Sequence, residues 1–217
     1  MKNIFLTFAV LLFALPGFSQ LAKPVQIDSL VTVSLPPGYQ KKDTLGQQIY
    51  SVNGLYGSMI VIVEPNAKNN APLKKENDLN KVLKKYVKGI QDQSEGGVAE
   101  NVRDTTIGTL KAKTFTLKND EGASGILLRK FILLYTNEVT YTFQYVYPDN
   151  RKDLVKAEMK AYIASIKLSP ELQRTDQYLS NAKGLSTSVM IGIGGGSLVI
   201  ILIVVFVIRR KKRLVMN

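Results

Sequence analysis

The strongest constraint on this chain is an uncharged run, residues 184–208, that stops abruptly at Arg209-Arg210-Lys211-Lys212-Arg213. Its apolar part, 189–208, is 20 residues long. As a helix rising ~1.5 Å per residue it spans about 30 Å, the thickness of a bilayer's hydrocarbon core. Five cations directly after such a run resist transfer through lipid and stay in the cytoplasm. The segment therefore predicts a transmembrane helix over 188–208 and a basic cytoplasmic tail over 209–217. Everything before it is expected to face out of the cell or into a periplasm.

The other end predicts the same orientation. Met1-Lys2-Asn3 is a short positive start, residues 4–15 are apolar, and Pro16-Gly17 breaks the run. Gly17 and Ser19 have the spacing that signal peptidase needs, so 1–19 reads as a cleaved signal peptide. The apolar core is too short to span comfortably. With no cysteine in the chain, a lipoprotein anchor, disulfides and thiolate metal sites are all excluded. Residues 20–168 then form one extracytoplasmic domain, long enough to bury a core without staples. Residues 169–187 begin at Ser169-Pro170, are rich in Ser, Asn, Gly and Thr, and read as a polar stalk. The expected location is the cytoplasmic (inner) membrane of a bacterium, single-pass. A rival reading of the glycine-rich start, apolar helix and basic cluster is a C-terminal sorting tail removed by an envelope protease.

The net charge of +12 follows partly from this topology. Of 29 Lys and Arg, one leaves with the signal and five lie in the tail; the remaining 23, against all 17 acids, leave +6 outside. Nucleic acid is not a partner expected there. The membrane surface and an envelope protein are.

Between the two ends the patterns alternate between strand and helix. Val31, Val33 and Leu35 share one face of a strand over 30–35, closed by Pro36-Pro37-Gly38. Residues 47–52 and 56–64 read as a hairpin through Asn53-Gly54. The run Met59-Ile60-Val61-Ile62-Val63 is apolar on both faces and predicts a central strand covered on both sides. Leu79, Val82, Leu83, Tyr86, Val87 and Ile90 recur at helical spacing, and Gly96-Gly97 ends that helix. Strands return at 98–107, 110–118, 125–136 and 138–147, the last carrying Val139, Tyr141, Phe143, Tyr145 and Tyr147 on one face. A second helix follows Pro148, capped by Asp149 or Asn150, with Leu154, Val155, Met159, Tyr162, Ile163 and Ile166 as its stripe. Short connections imply a mainly antiparallel sheet. The fold class expected is α+β, about seven strands with two helices packed on the sheet.

The stretch from Val31 through Leu35-Pro36-Pro37-Gly38 to Tyr39 resembles the strand and Pro-x-Gly-aromatic opening of PsbP-like domains. Ile107-Gly108-x-Leu110-x-Ala112 is similar to their mid-domain hairpin, and Ile163-Ala164-Ser165-Ile166-Lys167 to their closing helix. The order β-β-β-α-β-β-β-β-α over 27–168 agrees with that fold. The resemblance implies binding or assembly work without a shared catalytic site, and fold alone does not carry function across.

The search for chemistry is mostly one of exclusion. With no histidine, Ser-His-Asp, Cys-His and His-based zinc sites are impossible. Asp149-Asn150 with Asp153 lacks the glycine and spacing of a calcium loop and reads as a helix cap. Ser180-Asn181-Ala182-Lys183 fits a Ser-x-x-Lys pattern, but in a hydrophilic stalk its lysine stays charged. Glu64, Asp104, Asp120 and Glu121 are the acids from which a hydrolase pair would have to be drawn, all at strand ends or turns. The expectation is a non-enzyme with no metal or cofactor, the alternative a carboxylate-dependent envelope hydrolase. Two binding features remain. Lys81, Lys85 and Lys88 form one basic helical edge and Lys152, Lys156 and Lys160 another; both read as solvated faces or as contacts for an anionic surface. Gly192 and Gly196 form one small-xxx-small unit, through which two membrane helices can pack into a homodimer.

Overall fold

Period-two burial marks three segments, 31–35, 58–65 and 141–148, and a computed structural model describes residues 22–67 and 72–180. Ten strands and two α-helices follow one another along the described residues. They are β1 (Lys23–Gln26), β2 (Val31–Leu35), β3 (Gln40–Thr44), β4 (Gln47–Asn53), β5 (Ser58–Pro65), α1 (Glu76–Asp92) and β6 (Val98–Ile107). Then come β7 (Leu110–Asp120), β8 (Ile126–Tyr135), β9 (Val139–Pro148), α2 (Lys156–Ala164) and β10 (Lys167–Leu168). Seven strands form one antiparallel sheet in the order β3-β4-β5-β9-β8-β7-β6, and β1-β2-β10 form a second.

The fold class is the α+β, antiparallel arrangement that the sequence predicts, with one exchange of strands. The strand over 30–35 is not in the seven-stranded sheet. It pairs with β1 and β10 instead. Its place in the count is taken by β3, Gln-Lys-Lys-Asp-Thr, which is exposed along its length save for half-buried Thr44 and carries no apolar alternation to betray it. A charged, polar edge strand of this kind resists pairing with other chains.

Two apolar layers form on opposite faces of the large sheet. Along β8, Phe131, Leu133 and Tyr135 face α1, together with Phe115 and Leu117 of β7; they meet Leu79, Leu83 and Val87 of the helix. Leu128, Ile132 and Leu134 point the other way, with Met59, Val61 and Val63 of β5 and Tyr141, Phe143, Tyr145 and Tyr147 of β9. On that side α2 and the small sheet close the layer through Val155, Tyr162, Ile166, Val31, Val33 and Leu35. The aromatic ladder read from β9 is thus wholly on the α2 face.

The second helix differs in detail from its expectation. Asp149–Arg151 is a 3-10 turn, and α2 starts only after Val155, so Asp149 caps no α-helix. Leu154 falls outside the helix and is 56% exposed. Glu158 ties α2 to the β4–β5 loop and to β9, its carboxylate accepting from Leu55 N (2.8 Å), Tyr56 N (3.0 Å) and the Tyr145 hydroxyl (2.6 Å).

The packed structure continues past 168, where the stalk is expected to begin, to residue 180. Leu172, Gln177 and Tyr178 are buried. Leu179 N donates to Leu73 O at 2.9 Å, and Ser180 N to Lys74 O at 3.0 Å. A polar composition hid this because the anchor is itself polar: the Gln177 amide. The expected signal peptide over 1–19, the rest of the expected stalk, the expected transmembrane helix over 188–208 and basic tail over 209–217, and Gly192 and Gly196 lie outside the described residues. Among the described residues no helix is long and apolar enough to cross a membrane.

Candidate binding groove

A seven-stranded sheet with strands ~4.8 Å apart is about 30 Å wide, whereas one helix covers roughly 10 Å. The single helix on this face, α1, packs on β7 and β8 through Leu79, Leu83 and Val87. The same face of β9, β5 and β4 is therefore left beside the helix with no element over it among the described residues. A groove of about 830 Å³ results. Its floor is Ile62, Glu64, Thr142, Gln144 and Phe131, and its wall is Val82, Lys85, Tyr86, Gly89 and Ile90 of α1.

The exposed sheet surface explains a difference from the sequence reading. Met59, Val61 and Val63 are buried, but Ile60 and Ile62 are only half-buried, because no described element lies over their side. A strand apolar on both faces is therefore not covered on both faces here. Ile60 sits opposite Gln144 and Ser51 in register, Ile62 opposite Thr142 and Ile49. The floor is a mixture of branched apolar and neutral polar groups rather than a bare apolar sheet.

Polar groups around the groove are held by short networks. Thr140 Oγ1 is 2.8 Å from Asn66 Oδ1 and 3.2 Å from the Tyr86 hydroxyl, while Asn66 Nδ2 donates to Thr136 O at 2.7 Å. Burial raises the Tyr135 hydroxyl above its ordinary value, with Tyr86 adding to it. Arg129 reaches Glu121 only at 3.8 Å, and its Nε is buried without a partner. Among the described residues Glu64 is the only carboxylate in the lining, against Lys85 and Arg129.

The structure separates the two basic edges. Lys81, Lys85 and Lys88 are exposed on α1, and Lys85 borders the groove. Lys152 precedes α2, Lys156 pairs with Asp153 at 2.8 Å, and Lys160 is exposed on the helix. Because α1 and α2 lie on opposite faces of the sheet, these six lysines do not make one surface. The acids are likewise dispersed. Asp104 pairs with Lys113, Glu121 with Arg129, and Asp120 accepts from Gly122 N. None joins Glu64 in the groove, whose described lining therefore holds one carboxylate. Ser180 ends the described chain, and Asn181 to Lys183 of the Ser-x-x-Lys pattern fall beyond it.

Sequence reasoning did not find this groove. The available signal was the doubly apolar β5 in a sheet whose neighbours alternate, with one amphipathic helix too narrow to cover it.

No protein-family model matches the chain, and no curated protein matches its sequence. Among solved structures the chain is similar to the cyanobacterial PsbP protein, CyanoP, of Synechocystis sp. (TM-score 0.50, 17% identity, covering 70% of this chain and 95% of that one). It also matches the Ran-binding protein Mog1p of Saccharomyces cerevisiae (TM-score 0.43, 12% identity, 69% of this chain and 96% of that one). A Pseudomonas aeruginosa protein, PA94, matches at a TM-score of 0.44 and 11% identity, over 70% and 99%. The fold is thus that of a PsbP-like domain, as the motifs around Pro36-Pro37-Gly38 and Ile107-Gly108 led one to expect. At such identities the likeness is one of fold.

Proposed function

We propose that this protein is a non-catalytic binding subunit of the bacterial envelope, with the PsbP-like domain held outside the cytoplasmic membrane by the helix over 188–208. The observation that carries the binding role is the uncovered half of the large sheet beside α1. Ile62 lines it with Thr142 and Gln144, flanked by Lys85 and Arg129, and half-buried Ile60 continues the same face opposite Gln144. The occupant best matched to this surface is a protein segment with apolar side chains for the floor and carboxylates for the helix edge. Lys81, Lys85 and Lys88 have no acidic partner among the described residues, which leaves their charge available to it. The membrane location rests on the apolar run and its five cations.

In-cell crosslinking of the full-length chain, read by mass spectrometry, tests this reading. A specific neighbour is expected whose crosslinks fall on Lys81, Lys85 and Lys88, and Lys85→Glu should reduce its yield several-fold. Crosslinks confined to the α2 side, or a yield that Lys85→Glu leaves unchanged, would overturn it.

A further inference from the structure

On the other face of the sheet, β6 breaks its pairing with β7. Glu100 is opposite Thr116 and Arg103 opposite Thr114, so two residues of β6, Asn101 and Val102, stand against one of β7. Asn101 has φ +54°, the left-handed conformation that the first position of a G1-type bulge takes and that asparagine tolerates better than most residues. The extra residue reverses the alternation. Asp104 is turned to the α1 face, where it pairs with the buried ammonium of Lys113. Arg103 is turned to the α2 face, beside Thr114 and Thr116.

That face then gathers cations. Lys130 of β8 lies directly opposite Thr116, and Lys118 is two residues further along β7. Arg103 and Lys130 are separated by one strand and one register step, about 12 Å between backbones, so their long side chains converge over Thr116. Neither has a hydrogen bond or ion pair among the described residues, and Glu100, the nearest carboxylate by register, pairs with neither. Burial holds the Lys130 ammonium below its ordinary value, and Arg103 pushes the same way. A concavity of about 410 Å³ opens between them, lined by Asn101, Val102, Arg103, Thr116 and Lys130.

We propose that Arg103, Thr116, Lys130 and the Asn101 amide form an oxyanion site that takes a phosphate group. Two converging cations with hydroxyl and amide donors suit an anion with more than two acceptor oxygens, which a carboxylate does not offer. Edge protection alone would explain a bulge. It would not explain two unpaired cations brought to one face while the neighbouring aspartate is sent to the other. This site lies on the opposite face from the groove beside α1 and stands or falls separately from it. The phosphate can be free or part of a lipid headgroup.

The test uses the full-length chain in nonionic detergent, titrated with inorganic phosphate and with glycerophosphoglycerol, against sodium chloride at matched ionic strength. Phosphate-specific binding is expected in the wild type and should weaken by at least about tenfold in Arg103→Gln and in Lys130→Gln. Lys81→Gln with Lys88→Gln should leave it unchanged. Tighter binding of the diester assigns the lipid source, and tighter binding of inorganic phosphate assigns the free ion. In anion-free buffer Lys130→Gln should keep or raise Tm, because it removes a half-buried charge with no partner. Should that variant not fold, exposed Arg103→Gln carries the measurement. Equal effects of phosphate and chloride, or equal losses in the Lys81 and Lys88 variant, would overturn the proposal.

Discussion

Gln177→Ala separates a packed C-terminal segment from a loose stalk. The Gln177 side chain is fully buried. Its Nε2 donates to Lys111 O and Tyr135 O, both at 2.8 Å, and its Oε1 accepts from Lys111 N at 2.8 Å. The β7–β8 ladder stops at Lys113 opposite Leu133, and the next rung would join Lys111 to Tyr135. The glutamine amide stands in for that rung. Alanine removes three hydrogen bonds and strands buried backbone groups; at about 1 kcal/mol each the loss is roughly 3 kcal/mol. For a unit of this size that lowers Tm by about 6–12 °C. Thermal unfolding of the full-length chain in detergent, followed by circular dichroism, would show it. Gln177→Glu is a second arm. It cannot donate to the two carbonyls and should destabilise at least as much. A Tm within about 1 °C of wild type for both variants would refute the reasoning, since a solvated connector predicts no change.

Alkaline pH should unfold the domain through its tyrosines. Burial, aided by the Asp28 and Glu158 carboxylates respectively, raises the Tyr141 and Tyr145 hydroxyls far above their ordinary 10.0, and burial alone raises Tyr162. Stability is then full below about pH 10 and is lost as pH rises from there toward the raised folded values, by about 1.4 kcal/mol per pH unit for each tyrosine. Denaturant midpoints that stay flat from pH 9 to 11.5 would contradict this. Leu45, 99% exposed with φ +50°, precedes Gly46 at φ +79° in the two-residue turn joining β3 to β4. Leu45→Asn should therefore stabilise by roughly 0.5–1 kcal/mol, seen as a higher denaturant midpoint. Because the chain has no cysteine, Leu45→Cys creates a single thiol. An impermeant maleimide should label it in cells whose outer barrier is opened, and should leave Arg213→Cys unlabelled until the cytoplasmic membrane is broken; the reverse pattern would sink the topology.

How far the fold was legible follows from what each segment had to bury. α1 and β9 were readable because one side meets a core and the other does not, and β7 and β8 because both of their sides do. The β4–β5 hairpin was readable too, although Asn53-Gly54 is not its two-residue turn: Gly54 N bonds Gly57 O across a four-residue loop that Glu158 holds from α2. β3 was invisible because an edge strand with exposed Lys41, Lys42 and Asp43 buries nothing. β2 was seen as a strand but assigned to the wrong sheet, since pairing partners far apart in sequence leave no local mark. The groove was hidden for the same reason: Ile60 and Ile62 look like core until one counts how many strands a single helix can cover. The bulge at Asn101 depends on register, which no residue of β6 states alone.

The central claim is that the open half of the sheet beside α1 is the surface by which this protein binds another. A photoreactive residue in place of Ile62, in the full-length protein in cells, addresses it most directly. The account predicts a discrete adduct with one neighbour, lost when Lys85→Glu is added and absent when the probe replaces Leu45. Adducts of equal yield from both positions, or none from Ile62, would contradict it.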